Sequence, residues 1–186
     1  MSRITPVSPP YAPEVGSQLE AMMPPGVAPI LLFRTFVRNQ AMTAAMGEWG
    51  RYELGRHLSL PMREREIVID RTCARCGCEY EWGVHVTFFA ERVAFTAAQL
   101  TSLTHGDAGD ACWPEPRERL LIQAVDALHD RSDIDDPLWQ ELSAAFAPAE
   151  LLDLLMLCGW YHAISFAANG ARVPLEAGAP RFGDVR

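Results

Sequence analysis

The stretch of sequence that decides the fold covers residues 60–85 and reads LPMREREIVIDRTCARCGCEYEWGVH. Pro61 is suited to the first turn of a helix, and Glu64 and Glu66 follow near the positive end of that helix's dipole. Gly77 is typical of the residue that ends a helix. The stretch therefore predicts one helix on each side of Gly77, joined as a tight hairpin.

The rest of the chain repeats the helical pattern, because its apolar residues recur at a spacing of three and four. No strand pattern is found, so the predicted fold class is all-α. The last helix is apolar nearly all round, which is typical of a helix buried centrally or between subunits. A break is predicted near Gly47–Gly50. Helices are predicted over residues 17–23, 27–55, 61–76, 79–93, 96–103, 115–130, 136–146 and 148–169.

Proline and glycine mark the two ends of the chain as irregular. Residues 1–25 are rich in proline and are predicted to form an extended arm with one short helix. Residues 26–176 carry the helical pattern and are predicted to form one domain. Residues 177–186 contain glycine and proline and are predicted to be an irregular tail.

Composition restricts the class of function. The 186 residues are 49% hydrophobic and 22% charged, which is ordinary for a globular domain and argues against disorder. The formal net charge is −8, with no polybasic run, so neither nucleic acid nor an anionic membrane surface is predicted as a partner. The N-terminus lacks the apolar centre of a signal peptide, and no long uninterrupted apolar run occurs. We predict a cytoplasmic protein.

Five cysteines are present, and three of them, Cys73, Cys76 and Cys78, lie close together. A secreted disulfide framework would spread its cysteines out, so reduced thiols or a local redox pair are predicted instead. Zinc binding by the three thiols with His85 is disfavoured, because structural zinc sites usually need two well-separated ligand pairs. We predict no metal and no cofactor. The remaining histidines are interpreted as isolated surface or packing residues: His57, His105, His129 and His162.

The hairpin also carries the densest group of residues that could do chemistry. One face of its second helix holds a thiol, a carboxylate and an imidazole, at positions i, i+3 and i+7: Cys78, Glu81 and His85. One face of its first helix holds Glu66, Asp70 and Cys73. The two faces can meet across the hairpin, and a carboxylate beside an imidazole in an apolar setting is how proton-transfer sites are built.

The order of these residues resembles a known signature. Leu60-Pro-x-Arg-Glu-x-Glu66, then eleven residues to Cys78, then Tyr80-Glu-Trp-x-x-His85, is similar to the carboxymuconolactone decarboxylase family, which includes the alkylhydroperoxidase D branch. The similarity extends from about Leu31 to the end of the chain. It implies an all-helical, alkylhydroperoxidase D-like domain that assembles as a homo-oligomer (dimer, trimer or hexamer) with its site near a subunit interface.

The two branches of that family imply different chemistry. In the peroxidase branch, the matching Glu and His relay protons to a Cys-x-x-Cys pair. The first cysteine of that pair falls on Cys78, but the second falls on Glu81, so the resolving thiol is absent from its usual position. In the decarboxylase branch, protein acids and bases remove carbon dioxide from a small lactone acid without a cofactor. The Tyr80-Glu81-Trp82-x-x-His85 form is closer to that branch.

Three hypotheses for function follow. The first is a cofactor-independent lyase or proton-transfer enzyme for a small carboxylated compound. In it His85 is the acid or base, Glu66 and Glu81 tune it or relay protons, and an arginine such as Arg63, Arg71 or Arg75 holds the substrate carboxylate. Trp82 and Tyr80 would then form walls of the pocket.

The second hypothesis is a thiol peroxidase in which Cys78 reacts with peroxide and Cys76 or Cys73 resolves it. The third is a non-catalytic oligomer that binds a small ligand.

Overall fold

Nine α-helices and one short 3-10 helix make up the regular structure of residues 1–185, as described by a computed structural model. The all-α prediction is confirmed, and no strand occurs within those 185 residues. The 3-10 helix covers Phe182–Asp184. The α-helices are Pro13–Ala21 (α1), Leu31–Phe36 (α2), Gln40–Glu53 (α3), Met62–Arg75 (α4), Glu79–Phe89 (α5), Ala97–His105 (α6), Pro116–Arg131 (α7), Asp136–Ala145 (α8) and Pro148–Ala171 (α9).

Helix α4 is the centre of the bundle. Every residue from Arg65 to Cys73 is buried, whatever its polarity. The helix packs against α5, α6, α7 and α9, so it has no free face over these residues. Ile67, Val68 and Ile69 are fully buried, and burying side chains of this size stabilises the fold by about 1.5–3 kcal/mol each.

Helix α9 is the longest helix and packs against α4, α5, α7 and α8. By length and composition alone it could cross a membrane, although half of its most apolar window is buried in the bundle. The core helix of a soluble protein passes the same test. Its contacts therefore explain the apolar residues on the side that faces the bundle, and the sequence predicts such a helix to be buried centrally or between subunits.

The predicted break near Gly47–Gly50 is wrong, because both glycines lie inside α3. The chain turns earlier, between Phe36 and Gln40, where the side chain of Asn39 accepts a hydrogen bond from the N–H of Met42. An asparagine in this position satisfies one of the free donors at the start of a helix. Local capping thus decides the boundary.

The irregular end of the chain is tied to the bundle. Oε1 of Glu176 accepts hydrogen bonds from the N–H of Leu31 and the hydroxyl of Tyr80, and that hydroxyl accepts one from the N–H of Leu32. These contacts satisfy two donors at the start of α2 and place a carboxylate at the positive end of its dipole. A Cβ on Gly83 would lie 2.7 Å from the carbonyl oxygen of Pro180, so the tail can approach α5 closely because this residue is glycine.

Candidate active site

The turn between α4 and α5 sets the geometry of the site. Gly77 has a φ of +59°, a left-handed conformation that costs glycine little. The N–H of Cys78 donates to the carbonyl of Cys73 at 2.8 Å, and the N–H of Gly77 donates to that of Ala74 at 3.0 Å. These two bonds form a Schellman turn, which reverses the chain within a few residues. The predicted hairpin is therefore present, and its two inner faces meet.

Glu66 lies at the centre of a buried network of charges. Its Oε2 accepts a hydrogen bond from Nδ1 of His85 at 2.7 Å, and its Oε1 accepts one from Nε of Arg65 at 2.7 Å. Arg65 also donates to the carbonyl of Leu54 and lies 5.0 Å from the ring centre of Phe89. Buried charges are tolerated when they are paired in this way.

The other ring nitrogen of His85 faces two further polar groups. Its Nε2 lies 3.0 Å from the hydroxyl oxygen of Tyr161 and 3.6 Å from Oε1 of Glu81. Phe89 stacks on the imidazole at 5.3 Å between ring centres. Oε2 of Glu81 is buried and has no hydrogen-bond partner within the described chain. The ring is thus fixed by Glu66 on one side and lies beside the hydroxyl of Tyr161 and the carboxylate of Glu81 on the other.

The protonation of His85 follows from these neighbours. Burial alone would lower the pKa of His85, but the negative charge of Glu66 and the hydrogen bonds to Glu66 and Glu81 outweigh it and raise the pKa to about 10. At neutral pH the imidazole is therefore protonated on both nitrogens. It can donate a proton from Nε2 while Nδ1 remains bonded to Glu66.

Asp70 lies one helical turn further along the same face of α4. Burial first, and then the charge of Glu66, hold the pKa of the Asp70 carboxyl well above its usual range. Its Oδ1 is buried without a hydrogen-bond partner among residues 1–185. These conditions favour the neutral acid, so Asp70 adds no second negative charge beside Glu66.

A cavity of about 480 Å³ lies on the Nε2 side of His85. Its wall is mainly apolar and comes from α2, α3, α5 and α9, with Phe33, Phe88 and Trp160 among its side chains. The polar groups of His85, Glu81 and Tyr161 face it together. A volume of this size suits a small organic molecule.

The predicted thiols do not reach this cavity. Cys78 and Cys73 have no exposed surface, and neither lines the cavity wall. Burial raises the pKa of Cys78 to about 11 and holds the pKa of Cys73 well above its usual range. Because the thiolate is the reactive form, both positions favour inert thiols. All five cysteines of the described chain are free.

Tyr80 and Trp82, predicted as walls of the pocket, lie elsewhere. Tyr80 bonds to the tail through Glu176, and the fully buried ring of Trp82 packs 5.2 Å from that of Phe182. Neither residue lines the cavity. Since α5 turns by about 100° per residue, positions 80 and 82 point away from the face that carries Glu81 and His85. The predicted wall positions are corrected accordingly.

The arginines predicted to hold a substrate carboxylate form ion pairs with other residues, away from the cavity. Arg63 pairs with Glu118 at 2.5 Å and lies outside the cavity, so its predicted substrate contact is not present. Arg71 and Arg75 pair with Asp126. Among residues 1–185, the arginine that lines the cavity is Arg51 of α3, whose guanidinium also contacts Glu48 at the surface.

Several residues of the site were missed by sequence reasoning. Tyr161 comes from α9, 76 residues after His85 along the chain, and no spacing rule connects the two. Arg65 was overlooked because it is adjacent to Glu66, although its side chain folds back to pair with it. Met22 and Met23, from the predicted extended arm, also line the cavity. The signals available for Tyr161 were its place on an apolar helix and its place in the stretch over which the sequence resembles the family.

The interpretation of all four other histidines as isolated is wrong for two of them. His129 and His162 approach each other, with Nδ1 of His129 3.0 Å from Nε2 of His162. His57 is exposed, and Nε2 of His105 contacts the carbonyl of Phe182 at 2.9 Å.

Comparison with known proteins rests on structure. No family model matches this sequence, and no curated protein matches it either. An uncharacterized peroxidase-related protein from Silicibacter sp. TM1040 superposes with a TM-score of 0.79 at 14% identity, covering 98% of this chain and 96% of that chain.

Two crystal structures of the debrominase Bmp8 are also similar. The apo form gives a TM-score of 0.72 at 15% identity and covers 94% of this chain and 92% of that chain. A cysteine-to-alanine variant in complex with 2,3,4-tribromopyrrole gives 0.70 at 15% identity, covering 95% and 93%.

The site and the fold together describe a helical protein with a buried histidine–carboxylate pair beside an apolar cavity. Its fold is the alkylhydroperoxidase D-like helical fold, which is also the fold of carboxymuconolactone decarboxylases. The fold that the sequence resemblance implies is thereby confirmed.

Proposed function

We propose that this protein is a cofactor-independent acid–base enzyme for a small, largely apolar compound, with His85 as its proton donor. The observation that carries the proposal is the position of the imidazole. Glu66 binds Nδ1, whereas Nε2 faces a cavity of about 480 Å³. A proton donor held in one orientation at the wall of an apolar cavity is what general acid catalysis requires.

Each polar group at the cavity then has a role. The imidazolium of His85 donates from Nε2, and Glu66 keeps it charged until it does so. Oε1 of Glu81, which lies 3.6 Å from Nε2 of His85 at the cavity, is the group best placed to accept a proton from a substrate. The hydroxyl of Tyr161, 3.0 Å from Nε2, orients the ring and can bond to a substrate oxygen.

A decarboxylase-type lyase reaction fits this arrangement best. The bond between the substrate carbon and its carboxyl group breaks, carbon dioxide leaves, and the electron pair stays on the carbon. That carbon then takes the proton from Nε2 of His85, which leaves a neutral imidazole that solvent reprotonates. Arg51, at the cavity, is the cation available to a substrate carboxylate.

The structural neighbours support the class of compound. Bmp8 is a debrominase whose variant was solved with 2,3,4-tribromopyrrole, a small halogenated aromatic ring. The cavity beside His85 has aromatic walls and a volume suited to such a ring. Small aromatic or heteroaromatic acids are therefore the first substrates to examine.

The two rival hypotheses have less support. A thiol peroxidase needs an accessible thiolate, whereas Cys78 is buried and its pKa is raised to about 11. A non-catalytic ligand-binding protein would be expected to have Glu66 turned away from His85. The 2.7 Å contact between them supports a working acid instead.

Carbon dioxide release from a panel of aromatic and heteroaromatic carboxylic acids tests the proposal. We expect His85→Gln to lower kcat on the best substrate by about 100-fold or more, since general acid catalysis contributes at least that much. The control His57→Ala changes an exposed histidine and should leave kcat unchanged.

Equal activity of the wild type and the His85→Gln variant would reject the proposal. Loss of free thiol on adding stoichiometric peroxide, abolished by Cys78→Ser, would establish the peroxidase hypothesis in its place.

A further inference from the structure

Three side chains from three different helices converge at a second place in the molecule, separate from the cavity. Cys76 follows α4, His129 lies in the last turn of α7, and His162 lies in α9. One ligand atom from each lies within 4.8 Å of the other two. None of the three residues lines the cavity beside His85.

Two of the three distances between ligand atoms are close to those of a tetrahedral zinc site. Zinc binds cysteine sulfur at about 2.3 Å and histidine nitrogen at about 2.0–2.1 Å, so its ligands are separated by about 3.3 Å (nitrogen to nitrogen) and 3.6 Å (nitrogen to sulfur). Nδ1 of His129 is 3.0 Å from Nε2 of His162, and Sγ of Cys76 is 3.9 Å from Nδ1 of His129. The third pair, Cys76 and His162, has its ligand atoms within 4.8 Å, so small side-chain rotations would bring the three atoms onto one ion.

The orientation of His162 is already fixed in the way that metal sites require. Its Nδ1 donates a hydrogen bond to the carbonyl of Cys158, one turn earlier in α9, at 2.8 Å. That bond places the proton on Nδ1 and leaves the lone pair of Nε2 directed at His129 and Cys76. A second ring nitrogen bonded to a backbone carbonyl is the usual support of a metal-binding histidine.

The surrounding charges also favour a cation. Helices α4 and α7 both end near this cluster, so the partial negative charge of two helix C-termini faces it. The one nearby arginine of α4, Arg75, is paired with Asp126 and Asp130 of α7. Its positive charge is therefore offset by two carboxylates at the same end of the bundle.

We propose that Cys76, His129 and His162 bind one zinc ion, with the fourth position open to water or a small anion. One thiolate and two imidazoles form a ligand set that suits zinc among the abundant divalent ions. The ion would join α4, α7 and α9 at one end and hold Cys76 as a thiolate. The site is independent of the acid–base chemistry proposed at His85.

Cobalt titration of the full-length protein, after treatment with a chelator, tests the site. Cobalt(II) takes the place of zinc and reports a bound thiolate through a sulfur-to-cobalt charge-transfer band. We expect one cobalt per chain, a charge-transfer band that zinc abolishes, and a higher Tm in the presence of zinc.

Variants of the cluster and a matched control show whether these residues, and not other thiols or imidazoles, bind the metal ion. Cys76→Ser should remove the charge-transfer band, and His162→Ala should weaken zinc binding by at least about tenfold. Cys112→Ser changes another half-buried cysteine outside the cluster and should retain both the band and the affinity. Circular dichroism of each variant shows that it is folded, and the more conservative His162→Gln replaces any variant that is not.

Two outcomes would overturn the proposal. One is a wild-type protein that shows no charge-transfer band at saturating cobalt, which would leave only a hydrogen bond between the two histidines. The other is zinc binding that survives Cys76→Ser and His162→Ala but is lost in His85→Ala, which would place the ion in the cavity.

Discussion

Nδ1 of His85 donates a hydrogen bond to Oε2 of Glu66 at 2.7 Å, and Glu66 has no exposed surface. The carboxylate lies between two cations, because Arg65 binds its other oxygen. Buried ions of this kind stabilise the fold only as a set, since any one left alone would be a desolvated, unpaired charge. The same carboxylate that charges the proposed acid therefore also holds α4 to α5.

Replacing Glu66 by Gln should destabilise the protein and discharge His85. We expect a loss of about 3–5 kcal/mol in the free energy of unfolding, because Arg65 and His85 remain buried without their counter-charge. The pKa of His85 should fall below 10, since the charge and the hydrogen bond of Glu66 no longer oppose the effect of burial. Denaturant unfolding and the nitrogen chemical shifts of the imidazole measure the two effects.

The matched control for that variant is Glu48→Gln, which removes a carboxylate from an exposed pair with Arg51. It should leave both stability and the titration of His85 nearly unchanged. An unchanged pKa in Glu66→Gln would show that Glu66 does not charge the ring.

The stability that His85 contributes should depend on pH with a defined sign. Its pKa is raised in the folded state from an ordinary value of 6.5 to about 10. The contribution is fully present below pH 6.5 and is lost as pH rises towards about 10. Wild type and His85→Gln should therefore differ most in Tm at pH 6 and converge at high pH. Activity that depends on the imidazolium should fall over the upper part of the same range.

Glu53 should show the opposite effect of substitution, because its variant is expected to be more stable than wild type. Its carboxyl is buried, and its oxygens have no hydrogen-bond partner in the described part of the chain. Burial, and then the charge of Asp153, raise its pKa from an ordinary value of 4.5 to about 7. Its ionisation costs stability as pH rises from about 4.5 to about 7, and the cost is constant above that. Glu53→Gln should be more stable than wild type at pH 8, by about 1–3 kcal/mol, and lose that advantage near pH 4.5.

Thermal unfolding at the two pH values measures this difference. Glu141→Gln, which changes an exposed carboxylate of α8, should show no such dependence. A Glu53→Gln advantage that does not change between the two pH values would contradict the raised pKa.

Self-association should involve the outer face of α9. Leu152, Met156 and Phe166 are 64%, 51% and 68% exposed and share one side of the helix. Apolar residues aligned in this way usually meet a partner, and a second copy of the chain is the occupant that the predicted homo-oligomer supplies. Phe166→Glu should lower the mass measured by light scattering to that of one chain.

Val27→Glu, at an exposed apolar residue outside that helix, is its control and should keep the oligomer. A wild-type protein that already has the mass of one chain would remove this prediction.

Most of the helices could be predicted from the sequence, because capping residues and apolar spacing act over only a few neighbouring residues. Thr96 and Gln99 form the capping box that starts α6, as their spacing indicates. The start of α3 was missed, because Asn39 lies inside the helical pattern predicted over residues 27–55 and its capping role was not recognised. Glycine inside a helix costs only about 1 kcal/mol, and tertiary packing offsets that amount.

The site was predictable where one hairpin supplies both partners, as it does for Glu66 and His85. The thiol at Cys78 shares the spacing but does not line the cavity, because it lies just before α5 and is buried in the core. Tyr161, Arg51 and the pair of His129 and His162 depend on how separate helices pack. The register between distant helices leaves no pattern in a single sequence, so these contacts required the structure.

The hydrogen bonds of Glu176 connect the C-terminal residues to the α2 wall of the cavity beside His85. Although Glu176 does not itself line the cavity, it secures the first turn of α2, and Leu32 and Phe33 of that helix form part of the lining. Trimming the chain after Arg172 would free those backbone donors and let the short helix unwind. The cavity would then lose one of its walls without any substitution of a residue that lines it.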